Sequence, residues 1–150
     1  MMELHDEATR DWLEDLRYFL TDCESSGPNE QALRIAEAQA LFVAAPELVS
    51  GHWKSLPQAS VLAAMCAAGA FESAALALIG EGMGYLLSRG GNGVFLASVV
   101  LADQTEDQSC MGRTAALALL AALALALLGN APSERRARPR EAGVPANRFN

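Results

Sequence analysis

The chain has 150 residues, 51% of them hydrophobic, and a formal net charge of −7. This length suits one domain with its own core, and the acidic balance argues against broad affinity for nucleic acid or anionic membranes, which are bound through cations. Two His and three Cys leave little material for metal or thiol chemistry. The 29 Ala and 22 Leu, against 6% aromatics, favour helices packed through small residues rather than a core of aromatic stacks.

Residues 6–23 predict one amphipathic helix. Trp12, Leu13, Leu16, Phe19, Leu20 and Cys23 fall in an arc of about 120°. Opposite them stand Glu3, Glu7, Asp11 and Asp15, spaced by four, with Glu14 and Asp22 nearby. Ser25-Ser26-Gly27-Pro28-Asn29 breaks the chain, and Asn29 is placed to cap a second helix running to Ala45, before Pro46. That helix is apolar on most sides and is expected to be sandwiched between the first helix and the rest of the fold. Residues 46–56 read as a connector with one short helical turn, and Pro57 suits the start of a third helix, ended by Gly69.

Phe71–Ile79 is assigned as helix on its Ala and Leu content, with a strand at Ala75-Leu76-Ala77-Leu78 as the alternative. Gly80-Glu81-Gly82 stops it. Tyr85–Arg89 and Val94–Leu101 flank Gly90-Gly91-Asn92-Gly93, a hairpin signal, and a third short strand falls within Asp107–Met111. Thr114 caps a final helix ending at Leu128, with Gly129-Asn130 as its stop. The fold class is therefore α+β. It is mainly helical, with N-terminal helices packed on a small antiparallel hairpin or three-stranded sheet, followed by a buried C-terminal helix.

Ala115–Leu128 carries no polar residue and seven Leu. It is too short at 14 residues for a membrane span, which takes about 20. One face should cover the sheet and its Ala stripe should meet the second or third helix, or the same element of a second copy. A homodimer that extends the sheet edge, or packs helices across a two-fold, is the alternative to burial within one chain. The acidic N-terminus (Glu3, Asp6, Glu7) is unlike a targeting peptide. With Cys23, Cys66 and Cys110 scattered and odd in number, a reducing, cytoplasmic location is expected.

Residues 1–130 hold 16 acidic and 6 basic side chains, whereas residues 131–150 hold 2 acidic and 5 basic. The chain divides accordingly into an acidic domain over 1–130, with a helical part at 1–56 and a helix–hairpin–helix part at 57–130. An Arg/Pro-rich tail at 131–150 is expected to be disordered. Arg135, Arg136, Arg138 and Arg140 give that tail a weak route to nucleic acid.

Local motifs for chemistry are lacking. Ser88–Gly93 has no Gly-Lys-Ser/Thr ending of a phosphate-binding loop and opens no helix. Asp103, Glu106 and Asp107 do not follow a calcium-loop spacing. His5 and His52 have no second ligand at helical spacing, so no metal, cofactor or catalytic residue is assigned. The candidate partner-binding residues are Glu3, Glu7, Asp11 and Asp15 on the first helix and Arg89 at the hairpin.

From Phe71 to Leu128 the order of elements resembles a double-stranded-RNA-binding domain, and Gly112-Arg113-Thr114 with Ala118, Ala121 and Ala122 echoes the start of its last helix. Ala115, Ala116 and Leu119 stand where that family carries phosphate-holding lysines, so its function does not transfer. The same 58 residues resemble more closely the phage alpha-beta-alpha sandwich proteins. The likeness rests on Glu72-Ser73-Ala74-Ala75-Leu76, the Gly-rich hairpin, and Gly112-Arg113-Thr114-Ala115-Ala116-Leu117-Ala118-Leu119. It implies a phage or prophage context and no catalytic residues. The expected function is thus a non-catalytic interaction protein binding a host protein complex, concretely an inhibitor of host defence of the anti-CRISPR kind. A small acidic secretion chaperone and a nucleic-acid accessory protein acting through the Arg tail are the alternatives.

Overall fold

The computed structural model describes residues 2–102, 104 and 108–129, with side chains from residue 7 onward. The chain is α+β. Helix α1 spans Met2–Ser25, and a single 3-10 turn at Pro28–Glu30 leads into α2, Gln31–Val43. Then come α3 (Glu47–Ser50), α4 (Ala59–Ala67) and α5 (Phe71–Ala77). Strands β1 (Gly84–Arg89), β2 (Phe95–Val100) and β3 (Ser109–Gly112) form an antiparallel sheet in the order β1-β2-β3, and α6, Ala115–Gly129, closes the described chain. Phe71–Ala77 is helical, so the strand alternative for this segment does not hold.

The core is organised around α6. Every residue from Ala115 to Ala124 is buried, together with Leu127 and Leu128. One side of α6 covers β2 and β3, and the other receives α1 and α5. Burying each Leu is favourable by about 1.5–3 kcal/mol, so a helix with seven of them is stable only where all its sides are covered. The approach to the sheet is very close at one point. A Cβ on Gly112 of β3 would stand 2.5 Å from the Ala118 nitrogen, so only glycine allows this strand to lie against the helix. The Thr114 hydroxyl accepts a hydrogen bond from the Leu117 amide at 3.2 Å, the cap expected from the sequence.

Helix α1 lies on α6 through Leu13, Leu16, Phe19 and Cys23, all buried. Trp12 pins it to α2, its indole Nε1 donating to the Leu41 carbonyl at 2.9 Å. The α3 connector is anchored similarly: the Trp53 indole donates to the Leu78 carbonyl at 2.8 Å.

Four expectations need correction. The main helical partners of α6 are α1 and α5; α2 meets it less extensively, and α4 packs on α2 and α5 instead. The reason is area: α1 offers a broad Leu and Phe stripe, whereas Leu62 is the one buried side chain of α4. Second, α2 does lie between α1 and the rest of the fold, meeting α4, α5 and α6, but it is not enclosed on most sides: its buried side chains, Ile35, Ala38 and Phe42, share one face. Leu33 and Val43 are more than half exposed, because alanines make a helix read as apolar without supplying area to bury. Third, Asn29 does not cap α2. The entry is made by the 3-10 turn, where the Glu30 carboxylate accepts a hydrogen bond from the Gly27 amide at 2.8 Å. Fourth, the core does contain an aromatic stack, Phe42 on Trp53, with ring centroids 4.8 Å apart.

Candidate interaction surface

The burial of one face of α1 decides what its other face does. With Trp12, Leu13, Leu16, Phe19 and Cys23 turned inward, Glu7, Asp11, Glu14 and Asp15 are all exposed. Residues four apart rise about 6 Å along a helix, so Glu7, Asp11 and Asp15 form a row. None of the three is in an ion pair among the described residues. Glu3 belongs to the first turn of α1, and its side chain lies outside the described residues.

Sequence reasoning missed Tyr18. At about 100° per residue it falls between Glu7 and Asp11 on the helical wheel, and it is 64% exposed. An aromatic ring on the polar face of an otherwise well-divided helix was the available signal. Large amphipathic rings of this kind anchor protein interfaces.

The row is bounded at its C-terminal end. Asp22 is drawn into a cluster around Arg34 of α2, which also pairs with Glu30 at 3.8 Å and with Glu37. Arg34 Nε donates to the Ser26 hydroxyl at 2.9 Å, and that hydroxyl donates to the Asp22 carbonyl at 2.6 Å. This network ties the end of α1 to α2 and compensates its own charge. The free carboxylates therefore lie upstream of it.

Arg89 is not part of the α1 face. It ends β1, the outer strand across the sheet from β3, the strand that α1 reaches. Its guanidinium lies 5.8 Å from the centre of the Phe95 ring. The neighbouring hairpin has no spare donors for a phosphate at its ends. The Gly90 amide donates to the Val94 carbonyl at 2.8 Å and the Gly93 amide to the Gly90 carbonyl at 3.2 Å, with Gly93 at φ +86°. Asp103, Glu106 and Asp107, Asn130, and the tail arginines Arg135, Arg136, Arg138 and Arg140 lie outside the described residues.

An open groove of about 310 Å³ runs between α2 and α4, lined by Ile35, Ala36, Leu62, Ala63 and Cys66, with Gln39 as its polar contributor. Gln39 Nε2 already donates to the Pro57 carbonyl at 3.3 Å. Burial pushes all three thiols above the ordinary cysteine value, Cys110 to about 11 with Glu24 adding to the rise. At neutral pH they are protonated thiols and poor nucleophiles. No group of three or more His, Cys, Asp or Glu side chains converges to hold a metal among the described residues, and no described helix is long and apolar enough to cross a membrane. Comparison with family models, curated proteins and solved structures finds no match to this chain.

Proposed function

We propose that the chain is a non-catalytic interaction protein of phage or mobile-element type whose α1 face docks on a basic surface of a host protein complex. In its concrete form it inhibits a host defence complex by covering a surface meant for nucleic acid, as anti-CRISPR proteins do. One observation carries the reading: Glu7, Asp11, Asp15 and Tyr18 share the exposed face of a helix whose opposite face is fixed in the core. A row of carboxylates at about 6 Å intervals offers charge spaced like a phosphate backbone, and the ring supplies the apolar anchor that charge lacks. The seating of α1 by Trp12 means that little order has to be acquired on binding.

The test is the triple variant Glu7→Arg, Asp11→Arg, Asp15→Arg in a pulldown from the native host. Loss of the captured complex, with circular dichroism and melting unchanged, is the expected result. Undiminished capture by the folded variant rejects the reading.

A second reading, a small acidic secretion chaperone, is favoured by apolar side chains exposed on the outer face of the sheet. There Leu96 stands opposite Met111, and Leu86 lies diagonal to Leu96, all three exposed, with Ser88, Ser98 and Ser109 on the same face. Co-purification of a disordered effector segment that protects these residues separates it from the first.

A further inference from the structure

Strand β1 is the least covered regular element around the sheet. Leu87 is half-buried and its other five residues are exposed, because α6 lies over β2 and β3 and barely reaches it. Among the described residues no strand neighbours its far edge. Natural edge strands are normally blunted by lysine, proline, a bulge or an inward charge. β1 has none of the first three, and its one charge, Arg89, stands at its end. Leu86, at 69% exposure, is the most exposed large apolar side chain described.

The backbone of β1 fixes which groups are available. Gly90 donates to Val94 at 2.8 Å, and Arg89 pairs with Phe95 in the next register position. Hydrogen-bonded and non-hydrogen-bonded pairs alternate in an antiparallel ladder. The groups of Gly84, Leu86 and Ser88 therefore face β2, and those of Tyr85, Leu87 and Arg89 face the open edge.

We infer that two copies of the chain pair antiparallel along β1, centred on Leu86, to give a continuous six-stranded sheet. In this register Tyr85 of each copy exchanges backbone hydrogen bonds with Leu87 of the other. The two Leu86 side chains meet at a non-hydrogen-bonded position on the outer face, where strands bring side chains closest. The rotation keeps both outer faces on the same side, so Leu86, Leu96 and Met111 of both copies lie on one continuous face, interspersed with Ser88, Ser98 and Ser109.

Charge supports a second copy as the occupant. Arg89 of each copy comes opposite Met83 of the other, beside the Gly80–Met83 turn that exposes Glu81. The acidic row of α1, which would repel a like copy, belongs to the helix that reaches the opposite edge strand, β3. This interface is independent of the α1 reading, and the two fail separately: the first in self-association, the second in host capture.

Sedimentation velocity on the full chain under reducing conditions tests it. A species of twice the 15.8 kDa chain mass is expected, and Leu86→Lys, which sets two like charges face to face, should weaken self-association at least about tenfold. Circular dichroism should be unchanged, since the side chain is exposed. Leu86→Cys should give a covalent dimer on mild oxidation, whereas Tyr85→Cys, opposite Leu87 in this register, should not. A wild-type chain that stays monomeric, a dimer indifferent to Leu86→Lys, or cross-linking through Tyr85→Cys in place of Leu86→Cys each overturns the proposal.

Discussion

Helices α1 and α6 lie against each other, yet they treat their surfaces in opposite ways. α6 is apolar on every side and is enclosed by the sheet, α1, α5 and part of α2. α1 is divided lengthwise: its Trp12–Cys23 stripe belongs to the core, and its carboxylates face water. The difference teaches where function can reside. A helix covered on all sides has no face left to recognise anything, so α6 serves stability. α1 is held in place by one face, and on the other Glu7, Asp11 and Asp15 are exposed and outside any ion pair among the described residues.

The comparison can be broken most severely at α6. Leu119→Asp places an unpaired carboxylate where the side chain has no exposure at all, and the protein should fail to fold, visible as loss of the cooperative melt. The milder Leu123→Ala should cost about 2–5 kcal/mol in denaturant unfolding, the range for a large-to-small change in a packed core. Gly112→Ala should destabilise by about 1–3 kcal/mol, since the new methyl meets backbone at 2.5 Å and the neighbour cannot rotate away.

On α1 the effect depends on which face is touched. Trp12→Phe keeps an aromatic ring but leaves the Leu41 carbonyl without its donor, and should cost about 1–3 kcal/mol. Asp11→Asn on the outer face should change stability by no more than about 0.5 kcal/mol, with a slight gain as like-charge repulsion to Glu7 and Asp15 is relieved. If the inner and outer changes on α1 cost the same, the lengthwise division is wrong.

Much of this is legible in the sequence. The apolar arc of α1, the Gly-rich hairpin and the Thr114 cap each depend on a local rule, helical period or turn and cap chemistry, and each is where those rules place it. The neighbours of α6 were not legible, because alanines and leucines on all sides carry no direction. Nor was the one-sided burial of α2, since Leu33 and Val43 look the same in sequence whether a partner covers them or not. Within the candidate surface, Glu7, Asp11 and Asp15 could be read from spacing. Tyr18 could not, because one ring among carboxylates leaves their four-residue spacing unchanged. The openness of β1 was hidden as well: how far α6 extends across the sheet is a tertiary quantity with no local signature.

The central claim is that recognition belongs to one face of α1 rather than to acidity in general. The most direct measurement compares host-protein capture by two folded variants of equal charge change. One reverses Asp11 and Asp15 to Arg; the other reverses Glu47 and Glu72, exposed acids on α3 and α5. The first pair should abolish capture of the complex retained by the wild-type chain, and the second should leave it intact. Equal loss from both variants, or no loss from the first, would contradict that claim.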